Sequence, residues 1–109
     1  MRDERLLTFS FDSDGSSIDE YITSLPSNAM VTQIHANAEE VQGEIILQLQ
    51  RSVRGLWLDI PEAYLTLTKE KPYATKPFSF SLRKGTVLRV TSSVKKFIST
   101  ISFQVMLNT

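Results

Sequence analysis

The chain has one histidine, His35, and no cysteine, so few of its residues are suited to catalysis or to binding a metal. A general base or a metal ligand needs partner side chains within hydrogen-bonding or coordination distance. No serine, cysteine or carboxylate stands near His35 at a spacing that indicates such a site. We therefore interpret His35 as a solvated histidine on the polar face of a strand.

The acidic segment DSDGSSIDE is the part of the chain that most resembles a calcium-binding loop. Its carboxylates, on Asp12, Asp14, Asp19 and Glu20, are hard oxygen ligands of the kind that calcium prefers. The loop pattern requires a third ligand before its glycine and a glutamate six residues after it, but here Glu20 lies five residues after the glycine. The spacing favours an ordinary acidic turn with at most an adventitious cation, and we expect neither a metal nor a cofactor.

Acidic residues elsewhere in the chain are the remaining candidates for hydrolysis by paired carboxylates. They are Glu39, Glu40, Glu44, Asp59 and Glu62. None stands in an aromatic-lined strand context that would raise a carboxyl pKa. Glycine-rich phosphate loops, serine nucleophile elbows and zinc-ligand spacings are also missing from the sequence. We therefore predict that the protein is not an enzyme, and a hydrolase is the most remote alternative.

Aromatic residues predicted on the surface give the positive signal for binding. Trp57, Tyr64 and Tyr73, together with Arg54, form a candidate sugar-stacking platform or interface hot spot. Flat rings suit either role because they offer a large contact area at low entropic cost. The alternative is that Trp57 is half-buried at the edge of the fold, and the sequence leaves both interpretations open.

The N-terminal segment MRDERLL holds two more candidate interaction residues, Arg2 and Arg5. Residues 1–8 are predicted as an arm or as the edge of the first strand, before a single β-sandwich domain at residues 9–109. An arm of this kind adds to a neighbouring sheet edge or lies on another subunit, and a frayed terminus is the alternative. The segment lacks a signal-peptide core and no apolar run is long enough to cross a bilayer, so we expect synthesis in the cytoplasm without membrane association.

Charge is unevenly distributed along a chain whose formal net charge is zero. Residues 1–68 carry four bases against eleven acids, whereas residues 69–109 carry eight bases against Glu70 alone. Such asymmetry indicates either a polyanion-binding half or complementary surfaces that pair between subunits, unless interleaved strands mix the charges in space. Because the two signs cancel and no run of bases exceeds two, we expect no nucleic-acid binding.

Alternation of apolar and polar residues with period two recurs through the 109 residues, and no helical stripe is sustained over three turns. Short turn segments separate eight or nine strand candidates. The residues predicted to face inward are Leu7, Phe9, Phe11, Met30, Thr32, Ile34, Ala36, Ala38, Ile45, Leu47, Leu49, Leu56, Leu58, Ile60, Leu65, Leu67, Phe78, Phe80, Leu82, Thr86, Leu88, Val90, Ile101, Phe103, Val105 and Leu107.

Turn and loop signals between these strands give four further predictions. Pro61 is predicted to end a strand, since proline cannot donate to a central ladder. The segment KEKPYATKP is predicted as a surface loop with Tyr73 near its tip. Lys84 and Gly85 are predicted to form the turn of a β-hairpin, and SVKKFIS a loop or short turn that covers one end of the core.

Many short antiparallel strands, each with one apolar face, must pair sheet against sheet to bury those faces. The length of the chain corresponds to one domain with a core of its own. We therefore predict an all-β protein: a two-sheet antiparallel β-sandwich, jelly-roll-like, with about eight strands.

The order of these features, from Phe9 to Leu107, resembles the small jelly-roll module of tailed bacteriophage virion proteins. That family includes head decoration proteins, head fibres and some tail fibre or baseplate domains. The segments that carry the resemblance are FSFDSDGSS, ITSLPSNAMVTQIHANAEE, GEIILQLQR, PFSFSLRKGTVLRV and ISFQVML. The chain departs from the pattern at SVKKFIS, which replaces a glycine-rich turn, and at SVRGLWLDIP, which is more apolar than the corresponding stretch.

The resemblance implies a non-enzymatic structural protein of a bacteriophage virion, either a capsid decoration (cement) protein or a fibre protein. It further implies a homotrimer, assembled in the host cytoplasm and attached to a major capsid or tail protein. No set of functional residues comes with it. The alternatives are a carbohydrate- or receptor-binding β-sandwich module that takes a surface glycan, and a subunit of a cellular β-sandwich assembly.

Overall fold

Eight β-strands form the fold in the computed structural model, which describes residues 4–12 and 21–109. The strands are β1 (Glu4–Phe11), β2 (Tyr21–Ser24), β3 (Ala29–Ala38), β4 (Ile45–Val53), β5 (Leu56–Leu67), β6 (Tyr73–Leu82), β7 (Val87–Ser92) and β8 (Ile101–Asn108). They pair antiparallel in two four-stranded sheets, and no helix occurs in the described ranges. The predicted all-β sandwich is confirmed.

The strand order is that of a jelly roll. Sheet A runs β1-β8-β3-β6 and sheet B runs β2-β7-β4-β5. In the pairs β1–β8, β2–β7, β3–β6 and β4–β5 the two strand numbers always add to nine, as they do when one long antiparallel hairpin is rolled up on itself. The roll leaves β1 and β6 as the edges of sheet A, and β2 and β5 as the edges of sheet B.

The core lies between the two sheets, and each strand that lines it contributes the side chains of one face. Phe103 of β8 is fully buried, and its ring meets the ring of Phe9 edge-on with centroids 6.4 Å apart. At one end of the sandwich, Phe97 packs against Phe11 with centroids 5.8 Å apart. Phe97 belongs to the irregular segment 93–100, so the prediction that this segment covers one end of the core is confirmed.

A bulge in β3 makes part of the predicted inward face wrong. The register with both neighbouring strands shifts between Val31 and Gln33, and across this step β3 has one residue more than β8. Beyond the bulge Ile34 is buried as predicted, but before it Val31 is buried while Met30 is 41% exposed. Because side chains alternate with period two, one extra residue sends the earlier part of a strand to the opposite face. Thr32, at the bulge itself, is only half-buried.

A second bulge carries β5 past Pro61, where a strand end was predicted. The residues from Ile60 to Ala63 lie opposite the single residue Leu49 of β4. Glu62, inside this bulge, has a φ of 66°. Proline is tolerated here because β5 is an edge strand and a bulge removes the ladder bond that proline cannot make.

The first residues of β5 are more exposed than their pattern predicts. Leu56 and Leu58 are 65% and 42% exposed, although Ile60 on the same face is fully buried. Leu56 pairs with Val53 and Leu58 with Arg51, next to the β4–β5 turn. The predicted burial of both leucines is therefore wrong, because the tip of this hairpin extends beyond the cover that the opposing sheet provides.

Two connections also differ from prediction. Tyr73 is the first residue of β6, so the surface loop is shorter than KEKPYATKP. Lys84 and Gly85 do not close a hairpin, because β6 pairs in sheet A and β7 in sheet B. The turn instead passes between the sheets: Gly85 has a φ of 85°, and its N–H donates to the carbonyl of Leu25 at 2.9 Å. Alternation cannot reveal this, since both strands show the same period.

The N-terminal residues that the structure describes belong to the sheet. β1 pairs with β8 along its whole length, from Glu4 with Asn108 to Phe11 with Ile101. Residues 1–8 were predicted as an arm or as the edge of the first strand, and the boundary between them and the domain at 9–109 falls inside β1. Most of the acidic segment, residues 13–20, lies outside the described residues. Of the part that is described, no helix is long and apolar enough to cross a membrane.

Candidate functional site

Three of the candidate interaction residues lie on the β4–β5 hairpin of sheet B. Arg54 stands in the turn, Trp57 pairs with Ser52, and Tyr64 pairs with Gln48. Ser52 and Gln48 are four residues apart on β4, which corresponds to about 13 Å along a strand. Trp57 and Tyr64 therefore do not form one continuous stacking platform.

The other candidates lie elsewhere. Tyr73 begins β6 in sheet A, where it pairs with Asn37 and is exposed. Arg5 lies on the exposed start of β1 and pairs with Leu107. Arg2 is outside the described residues. The structure therefore brings Arg54 and Trp57 together on one hairpin and separates Tyr73 and Arg5 from them.

The turn that carries Arg54 has an unusual residue for its shape. Arg54 and Gly55 have φ angles of 52° and 81°, and two successive positive φ angles are typical of a two-residue type I′ hairpin. Glycine, asparagine or aspartate normally occupies the first position, because other side chains are more strained in this left-handed conformation. Arginine therefore occupies this turn at a conformational cost, and its side chain is exposed.

Trp57 lies beside a polar row that crosses sheet B. The Cζ atom of Arg89 is 4.2 Å from the centre of the Trp57 ring, a favourable cation–π distance. Arg89 Nε donates to Gln50 Oε1 at 2.7 Å, and Gln50 Nε2 donates to Asp59 Oδ1 at 2.6 Å. These bonds join β7, β4 and β5 and hold the guanidinium against the ring. Trp57 itself is half-buried at the edge of the sandwich.

Tyr64 is covered by a cation from the other sheet. Lys76 of β6 places its Nζ 4.2 Å from the centre of the Tyr64 ring. The same Nζ donates to the carbonyl oxygen of Glu62 at 2.9 Å and lies 3.8 Å from Glu62 Oε2. The edge strands β5 and β6 are thus tied together at the bulge.

Sequence reasoning missed Gln48, which holds the bulge of β5 in shape. Its Nε2 lies within hydrogen-bonding distance of the carbonyl oxygens of Leu49, Ile60 and Ala63, at 2.8, 3.1 and 3.2 Å. These carbonyls need a donor because the bulge interrupts the ladder between β4 and β5. The sequence shows Gln48 only as one of several outward-facing polar residues, so no signal in it indicated this role.

Arg51 was also missed, because it faces the inside of the sandwich at the hairpin tip. Its Cζ lies 5.3 Å from the centre of the Phe80 ring of β6. Its Nε is buried and has no hydrogen-bond partner among the described residues. On β5, Leu58 lies directly opposite Arg51. The tip therefore combines exposed leucines with a guanidinium whose hydrogen-bonding capacity is not filled.

The candidate catalytic groups are engaged in surface contacts or exposed. His35 is half-buried, with Nδ1 bonded to Thr75 Oγ1 and Nε2 3.3 Å from Asn37 Nδ2. Both ring nitrogens of His35 therefore contact polar neighbours at the surface of sheet A. Glu39 and Glu40 are exposed and line an open cleft of about 640 Å³. In residues 4–12 and 21–109, no three His, Cys, Asp or Glu side chains are grouped so as to hold a metal.

Comparison with known proteins gives a likeness of fold. No protein-family model matches the chain, and no curated protein matches it in sequence. A chain in the capsid structure of Helicobacter pylori bacteriophage KHP30 matches with a TM-score of 0.64 and 12% identity, over 100% of this chain and 94% of that one. The NLP-core of Drosophila, whose structure concerns pentamer formation and histone binding, matches with a TM-score of 0.54 and 11% identity over 95% of each chain. At these identities the comparisons establish the shared fold.

Proposed function

We propose that this chain is a non-enzymatic structural protein of a bacteriophage virion, specifically a capsid decoration (cement) or fibre protein. The observation that carries the proposal is the match to the KHP30 capsid chain over nearly the full length of both. This coverage means that the KHP30 capsid structure contains a small chain of this fold with hardly any additional sequence. The order of sequence features that resembles phage virion modules supports the same assignment.

The surface is suited to contact with neighbouring subunits. Large apolar side chains are exposed on both sheets and on a loop: Leu6, Met30, Ile46, Leu56, Leu58, Tyr64, Tyr73 and Ile98. Single exposed apolar residues are normal on a monomer, whereas the neighbouring pair Leu56 and Leu58 forms a patch that an assembly would bury. The two packed sheets supply a rigid frame that holds these side chains in fixed positions.

The protein would act as a homo-oligomer bound to a major capsid or tail protein, with a trimer as the proposed state and the host cytoplasm as the site of assembly. The NLP-core comparison supports oligomerisation, since a chain of the same fold is described there in a pentamer. The proposed role needs neither nucleic acid nor a membrane as a partner.

Deletion of the gene from the phage genome tests the proposal. A cement protein predicts particles that assemble but release their DNA at a lower temperature, and a fibre protein predicts intact particles that adsorb less well to cells. Expression of the chain from a plasmid should restore either property. Particles of unchanged composition, thermal stability and adsorption would count against a structural role in the virion.

A carbohydrate- or receptor-binding module is the second candidate, favoured by the surroundings of Trp57. A half-buried indole beside Asp59, Gln50 and Arg89 combines a flat apolar surface with hydrogen-bonding groups, which is how proteins bind sugars. A glycan array would be probed with the wild-type protein, with Trp57→Ala and with Tyr73→Ala as the control. Binding lost in Trp57→Ala and kept in Tyr73→Ala would support this candidate, and no binding by the wild type would remove it.

A further inference from the structure

The start of β5 has the sequence pattern of a buried strand but is exposed in the single chain. Leu56 is the most exposed of the large apolar residues in the described part of the molecule, and Leu58 lies two residues further on the same face. Both face the side of sheet B that elsewhere forms the core. Leucines at such positions are normally covered, so this stretch indicates a surface that is completed by another chain.

Backbone strain marks both ends of the same stretch. Arg54, before Leu56, and Glu62, after Ile60, are the non-glycine residues with positive φ in the described part of the chain. Long charged side chains are not favoured in this conformation, and strained residues are concentrated at functional sites. Their presence at the two ends of one stretch indicates that their side chains serve a purpose that compensates for the strain.

The charges along this edge are arranged symmetrically about Leu58. Arg54 precedes Leu58 by four residues, and Glu62 follows it by four. If residues 56–60 of two copies run antiparallel with Leu58 opposite Leu58, the arginine before the paired segment of each copy comes to the same end of the contact as the glutamate after the segment of the other. In that register Leu58 faces Leu58, and Leu56 of each copy faces Ile60 and is the diagonal neighbour of Leu58 of the other. The edge is therefore complementary to itself.

The backbone allows such pairing over a limited length. β5 is the outer strand of sheet B, so residues 56–60 have one side of their backbone without a neighbour among the described strands. Beyond Ile60 the edge is interrupted by Pro61 and by the bulge, and Lys76 Nζ already donates to the Glu62 carbonyl. Pairing from residue 56 to residue 60 is consistent with both features, since edge strands are commonly closed by prolines and bulges.

We propose that a second copy of this chain binds along the start of β5, about a two-fold axis that passes close to Leu58. In this contact Leu56 and Leu58 of the two copies cover one another, and Arg54 of each copy pairs with Glu62 of the other. The contact is isologous, with the same patch used on both sides. The inference deepens the proposed function and rests on its homo-oligomeric state. A two-fold contact joins copies in pairs, and in a trimeric protein it joins one trimer to another.

Sedimentation velocity of the full chain tests the apolar part of the contact. The wild type should form species with an even number of copies, and Leu58→Asp should halve their mass. Leu6→Asp is the matched control, because Leu6 is 50% exposed but lies on β1 of the other sheet. It should leave the mass unchanged. Circular dichroism melts of each variant monitor folding.

Exchange of the two charges tests the polar part of the contact and leaves Leu56 and Leu58 unchanged. Arg54→Glu and Glu62→Arg should each raise the dissociation constant of the pair at least about tenfold, because each places like charges opposite one another twice per contact. The double variant should restore the wild-type constant. Since Glu62→Arg also removes the ion pair with Lys76, restoration by the double variant separates the contact between copies from that local loss.

Four results would overturn the inference: a monomer at every concentration, an odd-numbered assembly alone, an oligomer unaffected by Leu58→Asp, or a double variant as weak as the single ones. None of these contradicts a place in the virion. Conversely, an intact pair that is missing from purified particles would contradict the proposed function and leave the two-fold contact in place. The two failures are therefore distinguishable.

Discussion

The guanidinium carbon of Arg89 lies 4.2 Å from the centre of the Trp57 ring, and Gln50 holds it there from the neighbouring strand. Trp57 is the only tryptophan in the chain, so tryptophan fluorescence reports on the surroundings of this one ring. We expect Arg89→Ala to shift the emission to longer wavelength, because the indole becomes more hydrated, and to lower the free energy of unfolding by about 0.5–1 kcal/mol. Lys76→Ala, which removes the equivalent cation from Tyr64, should leave the emission unchanged. An emission maximum unmoved by Arg89→Ala would show that the contact does not persist in solution.

We expect Gln48 to contribute more to the stability of the fold than an ordinary polar residue on the outer face of a strand. Gln48→Leu keeps the size of the side chain but removes the donor to the Ile60 and Ala63 carbonyls, so the free energy of unfolding should fall by about 1–3 kcal/mol. Urea denaturation measures the difference. Gln50→Leu serves as the control and should cost less, since its acceptor on Asp59 is exposed and remains hydrated. Equal losses in the two variants would argue against a special role for the bulge.

The β3 bulge predicts opposite responses at two adjacent residues. Val31→Ala should lower the free energy of unfolding by about 1.5–3 kcal/mol, because a fully buried side chain loses two carbons. Met30→Ala should change it by less than about 0.5 kcal/mol, as is usual for surface positions. Thermal melts of both variants test this register. A larger loss of stability in Met30→Ala than in Val31→Ala would indicate uniform alternation in β3 without a bulge.

Gly85 should tolerate a side chain poorly although there is room for one. A Cβ added at Gly85 would have no other atom within 4 Å, but the φ of 85° is strained for any residue except glycine. Gly85→Val should therefore cost about 1–2 kcal/mol through the backbone alone. Gly43 also has open space around it and has no positive φ, so Gly43→Val is the matched control and should cost clearly less. Chemical denaturation of the two variants provides the comparison.

Phe103 is the clearest test of the core itself. Its ring is fully buried between the sheets and packs on Phe9, so Phe103→Ala should lower the free energy of unfolding by about 3–5 kcal/mol. A melting temperature equal to that of the wild type would mean that the inner face of β8 is assigned to the wrong side.

Regular alternation made much of this fold predictable. In β4 and β8 the period of two is uninterrupted, and the residues predicted inward, such as Leu47, Leu49 and Phe103, are all buried. The same reasoning failed in β3, because the bulge reverses the faces of the residues before it. Met30 was therefore wrongly assigned to the core. The sheet to which a strand belongs was also hidden, since the turn at Gly85 leads to the other sheet and nothing in the local sequence distinguishes that from a hairpin.

The candidate site was predictable only in part. Arg54 and Trp57 stood out by residue type, and they do share one hairpin. Gln48 holds the bulge of β5 in shape, and no pattern in the sequence indicates that bulge. The leucines of GLWLDI follow the pattern of burial, and burial by a second chain cannot be told from burial within one chain in a sequence.

The central claim, a structural place in a bacteriophage particle, is tested most directly by quantitative mass spectrometry of purified virions from a culture that carries the gene. We expect the chain to be present in a fixed ratio to the major capsid or tail protein and to remain bound through a density gradient. Its absence from such particles, with the chain found in the soluble fraction of the lysate, would contradict that claim.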